Sequence, residues 1–370
     1  MATREGTWRY RDRFGGSFGR TYFRRFGPGV VSSLGVGTYL GDPTDAVDDR
    51  YRDAISTALD NGVNVVDTAI NYRHQRSERV VGDAIRESDA DREELVVATK
   101  GGFLPFDGER PDDPAAYVRR EFVDPGLVDA DDLARGSHCI APSYLDATID
   151  RSLENLGLDS LDLFYVHNPE TQLAARSREA VYDRLEDAFR LLERRRIAGD
   201  VGRYGVATWE AFRVPPGHGS HLSLPAVLSR AEAAADAVGV AEHGLDGHGL
   251  AAIQLPFNVH MADAFTARVH RTGDGEAKSA LEFARESGLA VFASASVGQG
   301  ELAVEDAIPP AVDGELAGDT PVQRAINFAR SAPGVTSSLV GMSRQEHVRE
   351  NVAACTFDPM GATAFDATFE

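Results

Sequence analysis

Lysine is almost absent from this chain. Of its 38 basic residues only Lys100 and Lys278 are lysine, and the rest are arginine. Cysteine is as scarce: Cys139 and Cys355 alone build no disulfide framework, which points to a reducing compartment, the cytoplasm. No apolar run reaches the ~20 residues that a membrane-crossing helix needs. The Arg-rich N-terminus also lacks the apolar centre of a signal peptide. Positive charge is in deficit overall. With 58 acidic residues the formal net charge is −20, which argues against nucleic acid and anionic membranes as partners. Aspartate clusters at 42–53, 107–113 and 124–132. Such a surface is expected of a protein adapted to multimolar salt, where a large net charge is screened and aids solubility.

What is present is a regular alternation. Short apolar runs at 34–38, 63–67, 95–100, 161–167, 201–207, 250–255, 289–294 and 338–341 read as buried strands. Amphipathic stretches at 45–60, 77–87, 142–156, 177–196, 225–238, 274–287, 320–332 and 344–354 read as helices. Ser177 stands at one start, and Gly157, Gly239 and Gly288 lie just past helix ends. Eight strands alternating with eight helices predict an α/β fold, a (β/α)₈ TIM barrel. The 370 residues suit one such barrel with insertions, and its core needs no metal or disulfide. Residues 1–33, aromatic and Arg-rich, read as an extension with a β-hairpin around Gly27-Pro28-Gly29. Residues 34–370 read as a single barrel domain. Three stretches, 101–141, 208–224 and 297–319, exceed ordinary connections and follow strands 3, 5 and 7. They are expected at the C-terminal face, where barrel enzymes build their sites.

Polar residues end several of these runs. Asp67 closes the second and is followed by Tyr72; Lys100 closes the third and His167 the fourth. A lysine kept in a chain that otherwise uses arginine points to a compact, tunable ammonium. Taken singly, Asp67 reads as a cap, Tyr72 as a loop anchor and His167 as a satisfied buried histidine. Together they form an acid–base cluster. A cation beside Tyr72 is expected to lower its phenol from the usual ~10 towards general-acid work near neutrality. Lys100 alone also allows a Schiff-base reading.

The segment Gly62-Val-Asn-Val-Val-Asp67-Thr-Ala-Ile-Asn-Tyr72, with Ser77-Glu78 and Val81-Gly82 after it, resembles the aldo-keto reductase signature. Ala98-Thr99-Lys100 and Asp162-Leu-Phe-Tyr-Val-His167 resemble that family's next two motifs, and the likeness runs from about Leu34 to Asn351. The resemblance implies a nicotinamide-dependent reduction of a small-molecule carbonyl substrate, with Asp67, Tyr72, Lys100 and His167 as the tetrad. It implies NADPH as cofactor, with NADH left open. Gly37, Thr38, Thr208, Gln254 and Ser294 would hold the nicotinamide end; Arg344, His347, Glu350 and Asn351 would hold the adenosine end, where Arg344 would meet a 2′-phosphate. Asn258 matches a further family position.

Some positions depart from the family pattern. Ala207-Thr208 stands for Ser-Asn, Ser294 for a stacking aromatic, Ser296-Val297 for Pro-Leu, and Arg73-His74-Gln75-Arg76 follows Tyr72 where glycine is usual. Arg73 and Arg76 are read as salt-bridged to the acidic stretch rather than as substrate contacts. Gly298-Gln-Gly300 is equally a turn or a backbone contact to the pyrophosphate. No dinucleotide fingerprint of the doubly wound type is present. His218, His221, His243 and His248 lack metal-ligand spacing, so no metal is expected. The altered cofactor positions leave a second reading open, a nicotinamide-binding sensor or regulatory subunit. Oligomeric state is not legible.

Overall fold

A computed structural model describes residues 1–369. Eight parallel strands close into a barrel: Leu34–Gly37, Val65–Asp67, Val96–Gly101, Leu161–His167, Val201–Ala207, Leu250–Pro256, Ala290–Ser294 and Val335–Gly341. The eighth pairs back onto the first, from Ser338 opposite Leu34 to Gly341 opposite Gly37. The third and fourth strands are buried along their whole length. Apolar residues therefore predominate in them, because one face fills the barrel and the other meets the helices.

Helices Asp45–Leu59, Arg76–Glu87, Pro142–Leu156, Arg178–Ala198, Leu224–Val238, Ala280–Glu286, Pro321–Ser331 and Gln345–Ala354 follow the eight strands in turn. Ser177 caps one start by accepting from the Ala180 amide. Gly157 and Gly239 end two others in the left-handed conformation.

Two elements differ from the sequence reading. The stretch 274–287 is helical only from Ala280, because its first part belongs to a small antiparallel ladder of His270–Arg271 with Ala277–Lys278. Ser279 then starts the helix with a capping box, its hydroxyl on the Glu282 amide and the Glu282 carboxylate on its own amide. The N-terminal extension also holds a helix, Arg4–Phe14, capped by Thr3, ahead of the expected hairpin of Phe23–Phe26 and Gly29–Ser32.

That hairpin closes one end of the barrel. Phe26 and Val31 join an interior layer with Val65, Val96, Leu163, Tyr165 and Phe292. The Phe26 ring meets that of Phe292 edge-on at 5.5 Å. The three long loops gather at the opposite end, where the strands terminate. The first contains a short helix, Pro114–Val118. It lies back on the outer helices, with Asp107 bridged to Arg79 and Arg151. Among the described residues no helix is long and apolar enough to cross a membrane.

Candidate active site

Adjacent strand ends bring the four chemistry-bearing residues together. Lys100 is fully buried, and its ammonium donates to Asp67 Oδ2 at 2.6 Å and to the Thr68 carbonyl at 2.8 Å. Gln254 Nε2 donates to the other Asp67 oxygen at 2.7 Å. Lys100 Nζ lies 4.8 Å from the centroid of the Tyr72 ring. The Tyr72 and His167 rings are 6.0 Å apart.

Tyr72 opens a short turn in which Arg73, His74 and Gln75 all take positive φ, at 46°, 58° and 69°. Three consecutive non-glycine residues in that region cost on the order of 1–3 kcal/mol each, so surrounding contacts must hold them. Arg73 supplies these from its buried guanidinium, which donates to the Asp42 carbonyl at 3.1 Å and to the Asp48 carboxylate. Arg76 clasps Asp45 and Asp48, and Gln75 Nε2 donates to the Phe106 carbonyl at 2.9 Å. The arginines thus fold the turn that presents Tyr72, in keeping with the ion-pair reading.

One electrostatic expectation is overturned. The Tyr72 phenol is held well above 10, first by burial and then by the Asp67 carboxylate and Tyr39. Lys100 does not lower it because its charge is already committed to Asp67 and Thr68. Burial pulls the Lys100 ammonium below its ordinary value, with Asp67 opposing. His167 is pushed well below 6.5 by burial, Lys100 and His138, so its ring is neutral.

These groups border a cavity of about 860 Å³, with Asp67, Tyr72 and His167 in its wall. Lys100 is not part of that wall, which disfavours Schiff-base chemistry at its amine. Gly37, Thr38, Thr208, Gln254, Ser294, His347, Glu350 and Asn351 also line the cavity. Gln299 and Gly300, from the turn after the seventh strand, do so too. Arg344 is exposed, at the N-cap of the last barrel helix. Ser343 and His347 on either side of it reach the wall. Asn258 instead donates to the Ala295 carbonyl at 2.8 Å. His221 bonds the Val214 carbonyl, and among the described residues no three His, Cys, Asp or Glu side chains gather as metal ligands.

Among the wall residues that escaped the sequence reading are Tyr39, Phe103, Asn168 and Trp209. Each stands within three residues of a motif position, which was their only signal. Thr208 Oγ1, Asn71 Oδ1 and His167 Nδ1 are buried without a protein partner.

Comparison with known proteins agrees with this geometry. The family model for the aldo/keto reductase family matches residues 33–215. D-threo-aldose 1-dehydrogenase of a Pseudomonas species is 32% identical over 183 residues, covering 48% of this chain and 50% of that protein. A Schizosaccharomyces pombe protein bearing the name of a voltage-gated potassium channel subunit beta is 22% identical over 88% of this chain and 85% of its own. Among solved structures, the holo form of an aldo-keto reductase from Bacillus halodurans superposes with a TM-score of 0.61 at 18% identity. It covers 94% of this chain and 95% of its own. A Klebsiella pneumoniae aldo/keto reductase in complex with NADP and acetate gives 0.59 at 19%, covering 94% of each chain. With the strand-end motifs inside the matched region and the whole barrel superposable, the chain belongs to the aldo/keto reductase family.

Proposed function

We propose that the protein is an NAD(P)H-dependent oxidoreductase that reduces an aldehyde or ketone to an alcohol, with Tyr72 as general acid. The observation that carries this reading is that Asp67, Tyr72 and His167 share one cavity wall, with Lys100 buried behind it on Asp67. The wall also suits a dinucleotide, since Thr208 Oγ1 and Asn71 Oδ1 are buried polar atoms without a protein partner. NADPH is the expected cofactor, in line with the NADP held by the Klebsiella pneumoniae structure. Thr38, Thr208 and Ser294 serve its nicotinamide end, while His347, Glu350, Asn351 and the rim residue Arg344 serve the adenosine end.

When bound, the reduced nicotinamide supplies a hydride to the carbonyl carbon. Tyr72, held above 10, is fully protonated at neutral pH, so its acid form is always available. Its proton passes to the developing alkoxide oxygen, and the Lys100 ammonium is the cation held beside the ring, 4.8 Å from its centroid. Asp67 keeps Lys100 in place. The neutral His167 ring orients the carbonyl oxygen. No lysine or arginine lines the cavity among the described residues, which favours an uncharged carbonyl substrate. A cytoplasmic setting fits the two unpaired cysteines.

Oxidation of NADPH and NADH with an aromatic aldehyde in molar KCl, comparing wild type with Tyr72→Phe, tests the reading. Turnover abolished in the variant, with cofactor binding intact, is expected. A fully active Tyr72→Phe protein sinks it. The likeness to proteins named as potassium channel β subunits favours a second reading, a nicotinamide-binding regulatory subunit. Tight NADPH binding without turnover on any carbonyl would decide for that one.

A further inference from the structure

We propose that His138, carried by the 101–141 loop, is a positioning residue that sets the orientation of His167. The inference rests on the reduction chemistry proposed above and gives that loop a task at the site.

The loop returns to the barrel beside the strand it left. Cys139 N donates to the Gly102 carbonyl and Leu104 N to the Ser137 carbonyl, both at 2.8 Å. This pairing sets His138, itself fully buried, against the end of the fourth strand, where its Nε2 lies 2.7 Å from the His167 carbonyl.

The proton on that ring can be placed. Gln172 Nε2 lies 2.9 Å from the His138 carbonyl, which only accepts, so the amide face turned to it is the NH₂. The same nitrogen lies 2.9 Å from His138 Nδ1, which must therefore be the acceptor. Nε2 then carries the hydrogen and donates it to the His167 carbonyl. Burial holds His138 down at about 4, so this neutral tautomer persists at working pH.

Two further contacts make the arrangement specific to His167. Phe103 stands edge-on to both imidazoles, at 4.8 Å from His138 and 5.2 Å from His167, and faces the cavity. Gly102 leaves the space for this approach: a Cβ there would sit 2.4 Å from the His167 carbonyl oxygen. His167 Nδ1 has no protein partner. The aim of its ring is therefore set through its main chain and its aromatic neighbours Phe103 and Tyr72, and the main chain and Phe103 depend on the returning loop.

The test uses the full chain with NADPH and an aromatic aldehyde. His138→Phe keeps an aromatic ring and removes the donor; His138→Gln keeps a neutral donor. His138→Phe should lower kcat on the order of tenfold, as for a misaimed catalytic group. Its NADPH dissociation constant, read by fluorescence titration, should stay the same, and His138→Gln should recover most of the rate. Long-range ¹⁵N–¹H histidine spectra should show His138 with its hydrogen on Nε2, and His167 ring signals displaced in His138→Phe. Wild-type kcat in His138→Phe, or a His138 hydrogen on Nδ1, would overturn the proposal. If His138→Phe fails to fold, Gln172→Leu removes the Nδ1 anchor and is read the same way. Should the wild type reduce no carbonyl, the functional reading falls by itself. The histidine spectra then decide this inference, and unmoved His167 signals refute it.

Discussion

The Lys100 ammonium and the Asp67 carboxylate form a buried ion pair at 2.6 Å, and Gln254 anchors the other carboxylate oxygen. Removing one partner of such a pair leaves an uncompensated charge and costs ~3–5 kcal/mol. Asp67→Asn should therefore destabilise the fold by about that much in urea unfolding, besides lowering turnover. The double variant Asp67→Asn/Lys100→Met should recover part of the stability, since no charge is then stranded. An Asp67→Asn protein as stable as wild type would mean that Lys100 finds another acceptor or gives up its proton.

Acid sensitivity follows from two buried histidines outside the tetrad. His270 repeats the His138 pattern: Nδ1 accepts from the Leu224 amide, and Nε2 faces the Phe212 carbonyl at 3.0 Å. Burial holds both rings at about 4, against 6.5 in the unfolded chain. Between those values the unfolded chain binds more protons, so stability is complete above about pH 6.5 and declines as pH falls towards 4. By pH 5 each ring should have cost about 2 kcal/mol. The gap between urea midpoints at pH 8 and pH 5 should shrink in His138→Gln/His270→Gln. An unchanged gap would show that other groups govern acid unfolding.

The arginine bias has a visible use. Arg195 is shared by Asp146, Asp150 and Asp200, and Arg230 by Glu179, Asp183 and Glu186. A planar fork with five donors serves several carboxylates at once, whereas an ammonium is a point charge. Exposed pairs are nonetheless worth only ~0–1 kcal/mol each and weaken with salt. Against them stands the repulsion of a net charge of −20, which salt also screens. The repulsion should dominate, so the thermal midpoint should rise as KCl goes from dilute buffer to multimolar concentration. A midpoint that falls over that range would contradict adaptation to salt.

The parts legible in the sequence were those set by short-range pattern. Strands Leu161–His167 and Val201–Ala207 are readable to the residue because a largely buried strand is a mostly apolar run. The helix after the sixth strand starts later than the pattern implies, because the 274–287 stretch reads as one run although its first part belongs to the small ladder. Its true start was written in the Ser279 to Glu282 capping box. Asp67, Lys100 and His167 are legible in the sequence because each ends an apolar run, at or next to a strand end. The direction of the Tyr72 shift is not, because it is set first by burial, which depends on the closed tertiary structure around the ring. Phe103 and His138 were invisible for a related reason: the loop's return onto Gly102 is a pairing across more than thirty residues.

Under the function proposed above, cofactor choice is expected to turn on Arg344. It is exposed at the start of the helix Gln345–Ala354, between Ser343 and His347, which line the cavity. The Glu350 carboxylate on the same helix is engaged by Thr320 Oγ1 at 2.7 Å. Its repulsion of an incoming phosphate is softened by that bond without being cancelled. A guanidinium meeting a 2′-phosphate supplies a charge-assisted hydrogen bond worth ~1.5–3 kcal/mol, a factor of roughly 10–100 in affinity. Arg344→Gln should weaken NADPH binding by that factor in fluorescence titration and leave NADH binding nearly unchanged. Equal weakening of both would place Arg344 on the diphosphate or the helix cap instead. No change in either would leave the 2′-phosphate in solvent, and the preference between the two cofactors should then be small.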